Sequence, residues 1–414
     1  MIFIIGEAFW GLNAALVASS TVLAVLLTEF GAGVRMIGSI GALEAGLTVF
    51  PQLLGMVLFH SVKHRKRNLI VWHLVAIIPF LFISGLLICF ENHYSPAVAR
   101  WGLLLSFAGF MCTWGMILGV WTDWLGHIFA TRTRGTLMGM VFFASALTGS
   151  LGGLMAGTII NKVEGHLAYA ILYFLAGIFA TSSLLLFIWV KDPAESMDAN
   201  IQKQVPIRGI LLNFKKSLCD DNFRSFLVCR LFASLGFCMI PFVAIYFKST
   251  DGGALSNSAI VSCGAAATLG SALANLVFGK IGDLHGHRIG ILFGTLMQGV
   301  TLFVILVTSG LTACIITYFC IGICSGSICM SHTNMLLETC PHDHRLSHIT
   351  VGNLVLSIPL VLSPLMAGIA SEHFGIRPVF MTCLILSLFA FIWSLLKLKE
   401  PRLESCETRE GAYD

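Results

Sequence analysis

The stretch Gly279-Lys280-Ile281-Gly282-Asp283-Leu284-His285-Gly286-His287-Arg288 separates two long apolar runs about two-thirds of the way along the chain. Its glycines allow a tight turn, and its charged side chains fall where two neighbouring apolar segments must reverse direction. The stretch is therefore predicted to join two adjacent apolar helices. An ordinary polar hairpin would use the same residue types, so the surrounding sequence has to distinguish the two interpretations.

Apolar runs like those beside this turn recur from one end of the chain to the other. Of the 414 residues, 57% are hydrophobic and only 11% are charged, and the mean hydropathy is +0.87. Soluble domains carry about 25% charged residues, so this chain cannot cover a water-facing surface. A membrane-spanning helix needs about 20 apolar residues. The composition therefore predicts an all-α polytopic membrane protein, and the net charge of +4 gives no indication of nucleic-acid binding.

The apolar runs divide the chain into twelve predicted spans in two groups of six. The first group is predicted to form a bundle over residues 1–190 and the second over 223–397. Between them lies a polar linker, 191–222, in which 206–218 has the pattern of an amphipathic helix; a polar tail covers 398–414. The predicted spans are 2–27, 36–60, 68–90, 99–122, 136–160 and 167–190, then 223–248, 256–279, 288–308, 312–335, 348–371 and 377–397.

The basic residues between the spans predict the orientation, because cytoplasmic loops carry an excess of lysine and arginine. Of the 25 basic residues, 18 fall on the same side as both termini, and two lie at or within the seventh span. The five on the other side are Arg35, Arg100, Lys162, Lys248 and Arg377. This bias places both termini and the linker in the cytoplasm, and the expected location is the plasma membrane or a bacterial inner membrane.

Two landmarks indicate that the second group of spans repeats the first. Leu154-Met155-Ala156-Gly157 in span five reappears as Leu365-Met366-Ala367-Gly368 in span eleven, and Arg134 and Arg345 precede the same two spans. Both pairs lie 211 residues apart. Small residues are common in membrane helices, so a chance match of four residues is the alternative. The shared offset favours duplication.

These features resemble the major facilitator superfamily of transporters, without indicating a subfamily. The span count, the linker, the turn at 279–288, Arg134-Gly135 with Gly139, and the segment from Pro341 to Arg345 all fit its pattern. The resemblance implies two parallel six-helix repeats with a central site between them. It also implies a set of conformational gate residues, namely Gly279, Gly282, Asp283, Gly286, Arg288, Arg134 and Arg345.

The chain also departs from that pattern. The loop between spans two and three reads Ser61-Val62-Lys63-His64-Arg65-Lys66-Arg67, which keeps the basic residues and lacks the glycine–acid pair. Span five lacks the Gly-Pro pair of proton-driven drug antiporters, and span four has no arginine in its interior. The last two differences argue against a drug–proton antiporter.

Three charged residues are predicted to lie inside spans, where each charge costs roughly 2.5–3.5 kcal/mol on insertion scales and tends to be functional. Glu44 is the strongest candidate for a proton-linked carboxylate; the alternative is a position near the outer end of its helix, paired with a neighbour. Glu7 lies near the cytoplasmic end, so an interfacial acid is the alternative to a coupling role. Arg230 is expected to bind an anionic substrate or, alternatively, to bond helix-end carbonyls.

Uncharged polar side chains form a second group of candidates, with interhelical hydrogen bonding as their default use. By resemblance, spans one, two, four, five, seven, eight, ten and eleven line the central cavity, which favours Asn13, Asn275, His332 and Asn353 over Gln298. Trp10 and Trp114 are expected to stack on a ligand, whereas Trp121 more plausibly marks the membrane interface. The run Cys320, Cys324, Cys329 and His332 does not have the spacing of a closed zinc site, so no metal site is predicted.

The combined pattern predicts a secondary active transporter that moves a small organic solute by alternating access, with proton coupling through Glu44 or Glu7. Multidrug efflux and a non-transporting receptor or assembly factor on the same fold are the alternatives. The sequence contains no phosphate-binding glycine–lysine loop, nucleophile elbow or zinc-protease helix, so neither ATP-driven transport nor an enzyme is predicted. We expect no cofactor, a small-molecule substrate with protons as the candidate coupling ion, a lipid bilayer around the protein, no nucleic acid and a monomer.

Overall fold

A computed structural model describes residues 1–59, 64–128, 134–191, 220–339 and 345–401. Within those ranges the chain is helical and forms twelve long spans. Eleven of them are long and apolar enough to cross a membrane. The twelfth, Val34–Leu58, has Arg35, Glu44 and Gln52 in its sequence. The predicted all-α fold with twelve spans is therefore confirmed. The predicted amphipathic helix at 206–218 lies outside the described ranges, as does the tail beyond residue 401.

The helices of the amino-terminal half follow the predicted order. They are α1 Ile2–Glu29, α2 Val34–Leu58, α3 Arg65–Cys89, α4 Pro96–Ile128, α5 Arg134–Lys162 and α6 Leu167–Ile188. Those of the carboxyl-terminal half are α7 Asp221–Lys248, α8 Asn257–His285, α9 Arg288–Val307, α10 Gly310–Glu338, α11 Arg345–Phe374 and α12 Ile376–Lys397. Helices α4 and α8 each run six residues beyond the predicted end.

The first helix of each half is interrupted at a corresponding place. In α1 the regular helix ends at Leu16, and a wide π-helical turn over Ser19–Leu23 precedes the last segment. In α7 the helix ends at Phe237 and restarts at Ile240, immediately before Pro241. Proline has no backbone N–H and favours the first turn of a helix, which explains the restart in α7. The matched breaks are consistent with two repeats.

The two halves contact each other mainly through α2 with α11 and α5 with α8. Small residues allow this close approach. A Cβ added at Gly38 would meet the carbonyl oxygen of Pro364, and one added at Gly157 would meet Ser262. These contacts extend from the middle of the helices to one end of the bundle. We call that end, which carries loops 30–33, 163–166 and 249–256, the distal face; the opposite end, which carries Met1 and the turn at Gly286 and His287, is the terminal face.

Polar contacts also join the halves at the distal face. Arg35 of α2 forms an ion pair with Glu372 of α11, and Lys248 of α7 forms one with Glu29 of α1. Deeper in the bundle, the Tyr318 hydroxyl donates to the carbonyl oxygen of Ser20 at 3.3 Å. The distal face is therefore closed by both close helix packing and ion pairs.

Candidate functional site

The amino-terminal half encloses a cavity of about 360 Å³, which lies within the size range of small-molecule sites. Residues from α1, α2, α3, α4 and α6 line it, and none of the described lining residues comes from the carboxyl-terminal half. The lining side chains include six aromatic rings and several hydroxyl groups. They are Trp10, Asn13, Ala14, Val17, Ala18, Ser19, Ser20, Glu44, Thr48, Phe80, Leu81, Ser84, Ser106, Phe107, Phe110, Met111, Trp114 and Tyr173.

Glu44 supplies the carboxylate of this cavity. It lies near the middle of α2, and its side chain is exposed towards the cavity. The Ser19 hydroxyl donates a hydrogen bond of 2.6 Å to one oxygen, Oε2. The alternative that Glu44 lies at the outer end of its helix is therefore wrong. A carboxylate at this depth, open to a cavity, can bind a ligand or exchange a proton.

The break in α1 positions the residue that contacts Glu44. Val17 and Ala18 are not helical, and Ala18 has extended backbone angles of φ −52° and ψ 125°. Both residues line the cavity together with Ser19 and Ser20. Irregular backbone at membrane depth is tolerated where it lines a cavity, because ligand or water can satisfy the freed polar groups. The break thus places Ser19 in the cavity wall beside Glu44.

Asn13 and the tryptophans complete the wall on the α1 side. Asn13 is almost fully buried, and its Oδ1 has no hydrogen-bond partner among the described residues. Trp10 contacts the His73 ring edge-on, with ring centroids 5.4 Å apart. Trp114 reaches the cavity from α4. The structure therefore brings together three predicted site residues, Asn13, Glu44 and Trp114.

Glu7 lies apart from this cavity. It is buried, and the indole Nε1 of Trp121 donates to its Oε1 at 3.2 Å. The expectation of an interfacial acid reaching for the membrane surface is wrong, because protein covers the carboxylate. Trp121 contacts this buried acid, which the interface assignment did not predict. Glu7 therefore remains a candidate for coupling only through an effect transmitted along α1.

Arg230 and His332 form a separate pair in the carboxyl-terminal half. The Arg230 Nε donates to the His332 Nδ1 at 3.1 Å, and the His332 ring stacks on Phe226 with centroids 5.4 Å apart. No acidic side chain forms an ion pair with Arg230 in the described part of the chain. Neither Arg230 nor His332 lines the cavity. The structure thus places Glu44 and Arg230 at separate sites in different halves.

The remaining polar candidates are distributed over other places. Asn275 of α8 packs against Gly326 of α10, and its Oδ1 has no partner among the described residues. Gln298 is fully buried and donates to the carbonyl oxygen of Ala233 at 2.8 Å, which is a structural use. The side chain of Asn353 lies outside the described part. The expected cavity helices were partly wrong, because α3 and α6 line the cavity as well.

The predicted gate turn is shorter than expected. Helix α8 continues through Gly279 and Gly282 to His285, so the turn itself is only Gly286 and His287. Gly286 has a positive φ of 90°, which glycine adopts without strain. A Cβ at Gly286 would also meet the carboxylate of Glu400.

Arg288 anchors the turn from the α9 side. Its Nη2 donates to the carbonyl oxygen of Leu395 in α12 at 2.9 Å, and its backbone N–H donates to Glu400 Oε2 at 2.9 Å. In the other half, Lys66 Nζ donates to the carbonyl oxygens of Ile188 and Val190. Basic side chains thus bind a helix carboxyl end in both halves, as the helix dipole favours. The side chains of the gate residues Arg134 and Arg345 lie outside the described part.

Sequence reasoning missed three side chains of the cavity and one feature of its backbone. It did not single out Ser19, Thr48 or Tyr173, and it did not predict the break in α1. The run Ser19-Ser20-Thr21 inside an apolar span was the available signal. No proline marks this break, so a search for helix-breaking residues would not have found it.

Known proteins resemble this chain in the sequence of its second half and in its fold. Residues 226–412 match the sequence model described as the Major Facilitator Superfamily. No curated protein sequence matches the chain. Solved structures do match over nearly the full length, although at 11–14% sequence identity they show the fold alone.

Three of these structures illustrate the range of relatives. The nucleoside transporter NupG is 14% identical with a TM-score of 0.67, and the match covers 95% of this chain and 98% of that one. A POT family transporter in complex with 5-aminolevulinic acid is 12% identical with a TM-score of 0.68, covering 95% and 94%. A bacterial homologue of the human lysosomal transporter Spinster, in an inward-facing and unoccupied conformation, is 12% identical with a TM-score of 0.61, covering 96% and 95%.

Proposed function

We propose that the chain is a secondary active transporter of the major facilitator superfamily, whose sequence model matches residues 226–412. It moves a small organic solute across a membrane by alternating access, with proton coupling at Glu44. The observation on which the proposal rests is the cavity in which Glu44 lies at mid-span beside the break in α1. Family and fold indicate a transporter rather than an enzyme.

The cavity is the proposed solute site. Its volume suits a small organic molecule, and its wall combines apolar rings with a few placed polar groups, as ligand sites do. An assembly factor that binds no solute would not need such a cavity, whereas a receptor would. The cavity therefore favours solute binding, and solute flux in liposomes distinguishes a transporter from a receptor.

The contacts between the halves support alternating access. The distal face is closed by the close packing of α2 with α11 and α5 with α8, and by the ion pairs Arg35–Glu372 and Lys248–Glu29. Ion pairs at the surface are worth only about 0–1 kcal/mol each, so they can break and reform during a transport cycle. We propose that the opposite state opens this face. The basic bias of the loops favours placing the terminal face in the cytoplasm.

Coupling is assigned to Glu44 rather than Glu7. Among the described residues that line the cavity, Glu44 is the only acidic or basic side chain, and Tyr173 is the only other titratable group. Its exposure to the cavity gives protons and solute access to the same carboxylate. Glu7 has no such access, because it is buried and bonded to Trp121.

Multidrug efflux is the second candidate, and the aromatic wall favours it. Six aromatic side chains line the cavity, which suits varied apolar solutes. The fixed charge of Glu44 distinguishes this site from a purely apolar efflux cavity. Transport of an anion bound at Arg230 is less supported, because Arg230 does not line the cavity.

Proton flux in liposomes tests the proposal. The purified protein is reconstituted with an internal pH-sensitive dye and offered uridine, a dipeptide, 5-aminolevulinic acid and trimethylphenylammonium in turn. We expect at least one solute to move protons and Glu44→Gln to reduce that movement by about 100-fold. If no solute of the panel moves protons in the wild type, or if Glu44→Gln leaves the flux unchanged, proton-coupled transport at Glu44 is refuted.

A further inference from the structure

Resting on the proposed transport function, we infer that the cavity of the amino-terminal half binds an organic cation. The ligand is a protonated or quaternary amine attached to an aromatic or apolar body. Three properties of the cavity lead to this chemistry: the sign of its fixed charge, the two acceptor oxygens that have no described donor, and the aromatic composition of its walls.

The charge of the lining residues selects against anions. Glu44 is the one carboxylate, and no lysine, arginine or histidine is among the described residues that line the cavity. His73 touches Trp10 from behind the wall, but its Nδ1 is bonded to the carbonyl oxygen of Leu69 at 2.8 Å. Arg230 lies in the other half, against His332. An anion would therefore meet Glu44 with no compensating base, whereas a cation would be paired.

Two oxygen acceptors of the cavity wall have no hydrogen-bond donor among the described residues. The Ser19 hydroxyl donates to Glu44 Oε2, which leaves Oε1 without a partner among the described residues. The Oδ1 of Asn13 is buried and likewise has no partner in the described ranges. The Ser84 hydroxyl donates its hydrogen to the Ser106 hydroxyl, which in turn donates to the carbonyl oxygen of Phe80. Neither hydrogen is therefore directed at a ligand. A ligand that brings positive charge or N–H groups completes this set.

The walls match the rest of such a ligand. Trp10 and Trp114 approach from α1 and α4, and Phe107, Phe110 and Tyr173 line the same space. Aromatic rings attract cations through the negative charge of their faces, and they pack well against apolar bodies. A carboxylate set among rings is the combination that recognises an ammonium group on an apolar frame.

Calorimetry with three probes of similar shape tests the substrate class. Wild-type protein in nanodiscs is titrated with trimethylphenylammonium, with its neutral isostere tert-butylbenzene and with benzoate, and empty nanodiscs correct for partition into lipid. We expect saturable binding of the cation alone. Binding of benzoate or tert-butylbenzene as tightly as the cation, or no binding of the cation, would overturn the proposal.

Variants then link binding to the cavity. Glu44→Gln should weaken the binding of the cation at least about tenfold, because the positive charge of the bound ligand then loses its carboxylate partner. Glu44→Asp keeps the charge and should retain most of the affinity, which guards against a folding defect. Glu164→Gln removes a carboxylate from an exposed loop of the same half and should leave binding unchanged. Unaltered affinity in Glu44→Gln would refute the site.

The two proposals fail in different ways. Proton movement that depends on Glu44, without binding of the cation, would remove the substrate class and leave the transport function intact. Specific binding of the cation with no flux of any solute would remove the transport function and leave the cation site. The calorimetric and liposome measurements therefore decide the two proposals separately.

Discussion

The breaks in α1 and α7 occupy corresponding places in the two halves, yet they have different surroundings. The α1 break opens onto the cavity, where Ser19 contacts Glu44. The α7 break is filled: Met239 and Phe242 are fully buried, and Cys238 lies with its sulfur 3.6 Å from that of Cys383. A repeated backbone thus does not imply a repeated site. The side chains around each break decide whether it binds a ligand or stabilises packing.

The α7 break serves the contact between the halves. Pro241 lies against α2, where a Cβ added at Gly41 would come within 2.9 Å of its ring. The break in α1 therefore borders the acidic cavity, whereas the break in α7 packs against α2.

The largest expected effect contrasts the charged residues of the two halves. Glu44→Gln should reduce proton-linked transport by about 100-fold, since the variant can neither exchange a proton nor pair with a cation. Arg230→Gln should change it less than about threefold, because Arg230 is outside the cavity and keeps a neutral hydrogen-bonding group towards His332. Initial rates in liposomes, normalised to reconstituted protein, measure both. A comparable loss in Arg230→Gln would show that the carboxyl-terminal half contributes directly to the site.

The second effect concerns the closed seam beside the α7 break. Gly41→Val would force its side chain against Pro241 and Pro364, and overpacking of this kind costs about 1–3 kcal/mol. We expect a lower thermal unfolding temperature and faster hydrogen exchange in residues 361–374. Gly33→Val is the matched control, because a Cβ there meets nothing within 4 Å at the start of the same helix. Equal exchange in the two variants would contradict close packing at Gly41.

A smaller effect should follow from the α1 break. Ser19→Ala removes the 2.6 Å hydrogen bond to Glu44. The affinity for trimethylphenylammonium should fall by about fivefold, because an intramolecular hydrogen bond contributes about 0.5–1.5 kcal/mol net of its exchange with water. Ser20→Ala, next to it in the same wall, should have little effect. Calorimetry compares the two, and identical affinities would indicate that Ser19 does not orient Glu44.

The smallest expected effect lies at the turn between α8 and α9. Asp283→Asn should lower the transport rate by about twofold to fivefold and leave the affinity unchanged, since a residue outside the cavity acts on conformational steps rather than on binding. Asp251→Asn on the distal face serves as the control. Separate measurement of initial rate and of calorimetric affinity decides this; weakened binding at an unchanged rate would refute the gate role.

Much of the candidate site could be anticipated from single residues but not from their arrangement. Glu44, Asn13 and Trp114 were recognisable because charged and polar groups are rare in apolar spans. Their meeting in one cavity, and the exclusion of Glu7 and Arg230 from it, depend on how helices from distant parts of the chain pack. A sequence pattern shows which residues share a face of a helix. Which other helix packs against that face depends on the tertiary structure.

By itself the sequence determined that the chain forms twelve apolar helices in two related groups. The physical reason is local: backbone polar groups inside a bilayer require helices, and the length of each apolar run and the charges between runs fix where helices begin and end. Only the tertiary structure decided that the α1 break lines a cavity and the α7 break is filled. That difference arises from the contacts of Ser19, Glu44, Pro241 and Cys383 across helices, which no local pattern contains.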